Sequence, residues 1–209
     1  WIGKSEGAEI LFKVDGVDLN INVYTTRPDT IYGSTYLVIS PESNLLNNIV
    51  PDAFKDSVDE YCGKAKLKNE LERTDLNKDK TGVFTGSYAI NPLTDKKIPI
   101  WVADYVLSSY GTGSIMAVPG HDPRDYEFAV KYQLEIVEVV ESNGDDLPYI
   151  GDGKLINSDI LDGLNINDGK RRIISHIENS SIGHGKTNYK LKDWLISRQR
   201  YWGTPIPIV

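Results

Sequence analysis

Two short stretches of this sequence gather side chains able to do chemistry together. The first, YTTRPDTIYGS (residues 24–34), carries Thr25, Thr26, Arg27, Asp29 and Thr30; the second, VPGHDPRDYEF (residues 118–128), carries His121, Asp122, Arg124 and Asp125. A surface turn needs only the Pro28-Asp29 pair, so the flanking threonines and arginine call for a further reason. Asp122, Pro123 and Asp125 fit the N-cap, first and third positions of a helix. The helix dipole and free N–H groups there keep a carboxylate ionised. That is a sufficient structural reason for an acid at Asp125, and the same field suits a carboxylate holding a cation such as an α-ammonium. Thr25 and Thr26 have the same double reading, as ordinary strand residues or as hydroxyls in a site. Thr30 fits equally as a turn residue.

Neither stretch offers a Ser-His-Asp arrangement, a nucleophile elbow or a Cys-His pair. A hydrolase built on them would activate water by positioning and hydrogen bonding, without a covalent intermediate. His121 beside Asp122 invites a metal reading, but His176 and His184 lie far off in unrelated contexts. A His-Asp metal site needs more imidazoles or a dense carboxylate set, so no metal is expected.

The 209 residues suffice for one domain with a proper core, and 40% hydrophobic with 25% charged residues is a globular composition. No run approaches the roughly 20 apolar residues of a membrane helix. The first residues, WIGKSEGAEI, lack the pattern of a signal peptide and an initiator methionine, and the chain stops at PIPIV. It reads as a piece of something longer. The net charge of −7 argues against a general phosphate-tracking surface but not against recognition of one nucleotide at a chain end. Cys62 is the single cysteine, which excludes an internal disulfide or a Cys-based zinc site and fits a reducing compartment; it reads as a packing residue.

The elements that must position the two stretches follow from patterning. Ile10, Phe12 and Val14 alternate, Asp15-Gly16 makes a turn, and Val17, Leu19, Ile21 and Val23 alternate again, which predicts a hairpin. TYLVIS predicts a strand, followed by a short helix after Pro41 and a longer one from about Pro51 to Glu72. RTDLNKDKTG is a charged loop. Strands are expected at VFTGSYAI, KIPIWVADYVL, GTGSIMAVP and EIVEVV, and helices at DPRDYEFAVKY and INDGKRRIISHIENSSIG, where Lys170, Arg171 and Arg172 form a solvated face. Strands outnumber helices and neighbour one another, which favours an antiparallel or mixed β-barrel with peripheral helices over a doubly wound sheet. There is no dinucleotide fingerprint and no P-loop.

TTRPDTIYG, YGTGSIMAVPGHDPRDYEFA and DWLISRQRYWGTPIPIV, taken together, resemble leucyl-tRNA synthetase, and more narrowly its editing domain, the connective peptide 1 insertion. Valyl enzymes typically have Glu after the proline of the first motif and isoleucyl enzymes TTTPWT, so Asp29 and IMAVPGHDPRD favour the leucyl version. Ser114 and Gly120 stand at small-residue positions where Ala is also usual. The resemblance covers residues 1–209 as a single editing domain, with 1–8 and 193–209 as junction strands toward a catalytic domain. It implies a mixed α/β fold centred on a small closed β-barrel with helices around it, and two motifs facing each other across one pocket.

The resemblance also implies the chemistry: hydrolysis of the ester joining a wrong amino acid (norvaline, isoleucine or methionine) to the terminal adenosine of a leucine tRNA. Asp125 corresponds to the acceptor for the substrate α-ammonium, Thr25 and Thr26 to hydroxyls that position water, and Thr30 to a steric gate against leucine. Asp122 corresponds to a second acid, for which a pairing with Arg27 would balance the site's charge. Met116 and Val118 correspond to wall residues, and Tyr110 and Ile115 to the place where adenosine is held. No cofactor is implied in this domain, ATP and any metal belonging to the synthetic part of the parent enzyme. The implied partners are the aminoacylated 3′ end of the tRNA and the catalytic domain of the same polypeptide, with no membrane, a monomeric domain and a cytoplasmic setting. No protein group is an obvious general base: either the free hydroxyl of the terminal ribose assists, or the threonine hydroxyls orient water without taking its proton. Two rival readings remain, a tRNA acceptor-end binding module without hydrolysis and a metal-dependent hydrolase using His121 and Asp122. Arg198 and Arg200 among the aromatics of DWLISRQRYWG read as boundary structure.

Overall fold

A computed structural model describes residues 2–68, 73, 80–108 and 111–191. The expected hairpin forms: β1 (Ile2–Val14) pairs antiparallel with β2 (Asn20–Thr25), bringing Ile10 opposite Val23 and Phe12 opposite Ile21. These four side chains are fully buried, as period-two alternation demands when one face covers a core. The connection is longer than a two-residue turn, with Val14 N–H donating to Leu19 C=O and Gly16 at φ 75°.

The remaining strands are β3 (Tyr36–Ile39), β4 (Gly82–Ile90), β5 (Lys97–Ala103), β6 (Ser114–Ala117) and β7 (Gly183–Leu191). The helices are α1 (Leu46–Ile49), α2 (Asp52–Lys66), α3 (Pro123–Tyr132) and α4 (Ile166–Asn179). Strand order is β2-β1-β4-β5-β3-β6, with β7 also on β1. The β3–β5 pair is parallel and the others antiparallel.

The closed barrel implied by the resemblance is not what the chain forms. The sheet is open and mixed: β2 and β6 are its two ends, and no ladder joins them among the described residues. They approach each other and meet through side chains, Val23 of β2 and Met116 of β6 belonging to one core cluster. The difference lies at the facing edges of β2 and β6. All four residues of β6 register with β3 and the paired residues of β2 register with β1, so between β2 and β6 apolar side-chain packing stands in place of a ladder.

Two patterns differ from expectation. Residues 2–9, which lack apolar alternation, extend β1 and pair with β7, a strand composed as GHGKTNYKL. EIVEVV makes no strand beyond an isolated bridge between Val140 and Leu155. All of DWLISRQRYWG and the rest of residues 192–209 lie outside the described residues, as do Tyr110 and most of the charged loop. Residues 2–8, one of the two expected junctions, form the first part of β1.

Two buried clusters lie on opposite sides of the sheet. One unites the hairpin, β3, β5, Met116, Val118 and α4; the other unites Tyr36, Val38, Tyr105, Ala117 and Phe128. Phe128 stacks on Tyr36 at 5.4 Å and meets Trp101, Tyr105 and Tyr132 at 5.4, 5.9 and 4.5 Å between ring centroids. This aromatic group fixes α3, and with it the helix start that carries the second motif. Cys62 is buried on α2 within the first cluster, and burial pushes its thiol up, away from nucleophilic chemistry.

Candidate functional site

The first motif follows β2 as a 3-10 helix over Pro28–Gly33. Thr25, half-buried, bends the chain by accepting the Arg27 N–H on its Oγ1 at 3.0 Å; Thr26 is exposed. Arg27 grips Asp29: its Nε lies 3.1 Å from both carboxylate oxygens and one terminal nitrogen 2.8 Å from Oδ2. Asp29 is fully buried, whereas the Arg27 side chain is about a third exposed. The expected Arg27–Asp122 pairing therefore does not form, because Arg27's charge is already matched two residues away. Thr30 is buried, and its hydroxyl donates to Arg27 C=O at 2.9 Å. Asn91 Nδ2 donates to Ile31 C=O at 3.0 Å and ties this turn to the end of β4.

The second motif leaves β6 through a tight turn, in which His121 and Asp122 N–H groups both reach Val118 C=O. Asp122 is the N-cap of α3, as its sequence position predicts, accepting from Arg124 N–H at 2.8 Å and Asp125 N–H at 3.3 Å. The Arg124 guanidinium also lies 3.2–3.4 Å from the Asp122 carboxylate. Asp125, 6% exposed, turns inward. Its Oδ2 accepts the Val118 N–H at 2.9 Å, and its Oδ1 lies 3.4 Å from the Tyr105 hydroxyl. Burial first, then the neighbouring Asp122 charge, push the Asp125 carboxyl up to about 7, against the opposing pull of Val118 N–H, Arg124 and Tyr105. The acid is thus held where its ionisation is finely balanced.

The two motifs meet. Gly33 closes the 3-10 helix against the second motif: a Cβ there would lie 3.2 Å from Val118 Cγ1 and 3.0 Å from Val139 Cγ2. Thr35 N–H donates to Ala117 C=O, and Tyr36 registers with Ala117 in the β3–β6 ladder. Arg27 and Asp29 are near enough to His121 to act on its charge. Met116 and Val118 lie in the cluster shared with the first motif, while Ile115 points to the opposite cluster beside Trp101 and Tyr132. The structure thus brings the two motifs into contact at Gly33, Val118 and His121, places Met116 and Val118 in the shared cluster, seats Asp125 against Tyr36 and Tyr105, and sets Ile115 on the sheet's other face. Tyr110 lies outside the described residues; its neighbour Gly111 rests against Tyr24 of β2. A cavity of about 440 Å³ beside Glu9, Asn22 and Glu178 contains none of these residues.

His121 is used structurally. Its Nδ1 lies 2.8 Å from Tyr149 C=O, and its Nε2 accepts N–H groups from Val139 at 2.8 Å and Val140 at 3.0 Å. This pattern requires the neutral ring with the proton on Nδ1. Neither nitrogen keeps a lone pair for a metal or for proton abstraction, and burial pulls the imidazole below its usual value. Sequence reasoning missed this role, and also Tyr36 and Tyr105, which sit inside apolar runs where only strand pattern is visible.

The profile described as "Leucyl-tRNA synthetase, editing domain" matches residues 1–178. The chain is 53% identical over its whole length to leucine--tRNA ligase of Clostridium kluyveri, of which it covers 26%. A leucyl-tRNA synthetase of Agrobacterium radiobacter K84, solved in a ternary complex with tRNA and LeuAMS, superposes with a TM-score of 0.72 at 34% identity, over 93% of this chain and 21% of that one. This chain belongs to the leucyl-tRNA synthetase editing-domain family. It spans about a quarter of the length of the curated relative. In this editing domain Arg27 is matched by Asp29 and Arg124 by Asp122, each a near neighbour in sequence, which leaves Asp125 as the acid of the two motifs held without a paired cation among the described residues.

Two outcomes follow from these partners. Arg27→Ala leaves the Asp29 carboxylate buried without its cation, and should cost about 3 kcal/mol in urea unfolding, the low end for a broken buried pair because Arg27 is partly solvated. For His121 the folded value lies below the unfolded one, so the unfolded state binds more protons between the two and stability falls as pH drops below about 6.5. Asp125, with a raised folded value, acts in the opposite sense over an overlapping range. The informative quantity is therefore the difference in stability between wild type and His121→Gln, measured by thermal unfolding at each pH, which should narrow from pH 7.5 to 5.

Proposed function

We propose that this chain hydrolyses the ester between a non-cognate amino acid and the 3′-terminal adenosine of a leucine tRNA, as the editing part of a leucine--tRNA ligase. The observation that carries this reading is the juxtaposition of the threonine-bearing turn with a buried carboxylate at the start of α3, joined through Gly33 and Val118. A water oxygen attacks the ester carbonyl, the acyl C–O bond breaks, and the ribose oxygen leaves with a proton, giving free amino acid and an uncharged tRNA. Ionised Asp125 receives the α-ammonium. Thr25 spends a lone pair on the Arg27 N–H but keeps its own proton to donate, and exposed Thr26 offers a second hydroxyl to orient water. Met116 and Val118 supply apolar wall.

Thr30 is the proposed gate. Its hydroxyl is committed to Arg27 C=O, so what it presents to a ligand is bulk. A second sieve has a physical motive: one methylene is worth about 1–3 kcal/mol in an apolar pocket, a limit for which aminoacyl-tRNA synthetases are themselves the standard example. The chemistry proposed needs no metal or cofactor within this domain. The partners are the aminoacylated tRNA end and the synthetic part of the ligase, and the domain acts as a monomer in the cytoplasm. No helix among the described residues is long and apolar enough to cross a membrane.

Thr30→Ala should let the domain deacylate leucyl-tRNA while norvalyl-tRNA is still cleared; a variant that still spares leucine places the gate elsewhere. Asp125→Ala should abolish deacylation of norvalyl-tRNA under single-turnover conditions at saturating protein. Unchanged turnover there removes Asp125 from the site, and a wild-type chain that binds the tRNA end without cleaving it supports the non-hydrolytic module instead.

A further inference from the structure

The mechanism above uses Asp125 but not the two tyrosines around it. Tyr105, just beyond β5, is buried, and its hydroxyl lies 3.4 Å from Asp125 Oδ1. Tyr36, the first residue of β3, is buried and donates to the Asp125 backbone C=O at 3.0 Å. The two tyrosines are near enough to act on each other's charge. Both border Asp125, Tyr36 at its backbone carbonyl and Tyr105 at one carboxylate oxygen, while the other oxygen accepts from Val118 N–H. Both rings are held by Phe128, stacked on Tyr36 and edge-on to Tyr105, so their hydroxyls are aimed by packing from the sheet face opposite the motif cluster.

We propose that Tyr105 is a positioning residue for editing: its hydroxyl holds the Asp125 carboxylate in the orientation that receives the substrate α-ammonium. The proposal rests on the function proposed above. Placement alone gives the tyrosine something to do. Each Asp125 oxygen has one donor, Val118 N–H on Oδ2 and Tyr105 on Oδ1, and each keeps a lone pair for a ligand; Tyr105 is the side-chain hydroxyl that sets the direction of Oδ1. The charged and titratable groups facing Asp125 are Asp122 and Arg124 from the start of α3, Tyr105 from the segment after β5 and Tyr36 from β3. Asp122 opposes ionisation; Arg124, Tyr105 and Val118 N–H favour it. Both phenols are pushed above their usual range by burial, so they remain donors throughout the working pH range.

Tyr105→Phe removes the donor and keeps the ring against Phe128. The test measures kcat/KM for norvalyl-tRNA deacylation against pH, corrected for spontaneous hydrolysis, together with a 13C titration of the Asp125 carboxyl in the free chain. Because kcat/KM reports the free protein, both midpoints should rise together, by about one pH unit for loss of a donor to a charged acceptor, with a loss of up to about tenfold below the midpoint and recovery above it. Replacing Tyr105 by 3-fluorotyrosine keeps fold and ring while strengthening the donor, and should move both midpoints down. That reversal is not expected of a residue that only fills space. Unmoved midpoints in both variants, with Asp125→Ala inactive, overturn the role of Tyr105 and leave the proposed function standing. Full activity in Asp125→Ala overturns both.

Discussion

A carboxylate with almost no access to water is an awkward thing to fold around, and Asp125 obliges its surroundings to supply what solvent would have given. Val118 N–H and the Tyr105 hydroxyl converge on it at the start of α3. These two donors belong to different parts of the chain, the exit of β6 and the exit of β5. Satisfying one acid therefore fixes the turn between β6 and α3 and draws the β5 connection over it. The aromatic group around Phe128 makes this convergence affordable by holding the tyrosines and the helix in place from behind.

The other charges near the meeting point follow a common rule. Arg27 is matched by Asp29, Arg124 by Asp122, and His121 is neutral between two backbone strands of hydrogen bonds. Charge matched locally imposes no long-range electrostatic demand, so the two motifs can be brought into contact by apolar packing of Gly33 on Val118 and Val139. Gly120 serves the same approach from the other side, since a Cβ there would stand 2.4 Å from Val137 C=O. Asp125 is the exception: it has no cation gripping it as Arg27 grips Asp29, and on the proposed reading the substrate's α-ammonium supplies one.

How far this was legible in the sequence depends on what kind of interaction made each element. The hairpin and helices α2, α3 and α4 announce themselves because their patterns are local: period-two alternation, an N-cap with proline, an amphipathic repeat. Asp122 capped the helix as its position predicted. β7 and the first half of β1 were not legible, since GHGKTNYKL and IGKSEGAE carry no apolar alternation and are strands because each supplies the other's ladder. EIVEVV failed in the opposite way. Its apolar run looks like a strand, yet Val139 and Val140 give their N–H groups to His121 Nε2, and a ring nitrogen eighteen residues away is invisible to pattern. Barrel closure was beyond the sequence for a similar reason: it depends on whether β2 and β6, more than eighty residues apart, meet by a ladder or by side chains.

The same distinction applies to the candidate site. Types and spacing singled out Thr25, Thr30, Asp122 and Asp125, but not what each polar atom would be spent on. Thr30 loses its hydroxyl to a backbone carbonyl and retains only shape; Thr25 spends a lone pair and retains a donor; Asp125 has one donor on each oxygen and keeps a lone pair on both. These remainders are what a ligand would meet. On the proposed reading, they describe a surface that can weigh side-chain volume, donate to an ester or a water, and accept one ammonium. Hydrolysis on such a surface would gain from orientation and exclusion, and that would place the burden of rate on how rigidly the Asp125 carboxylate is aimed.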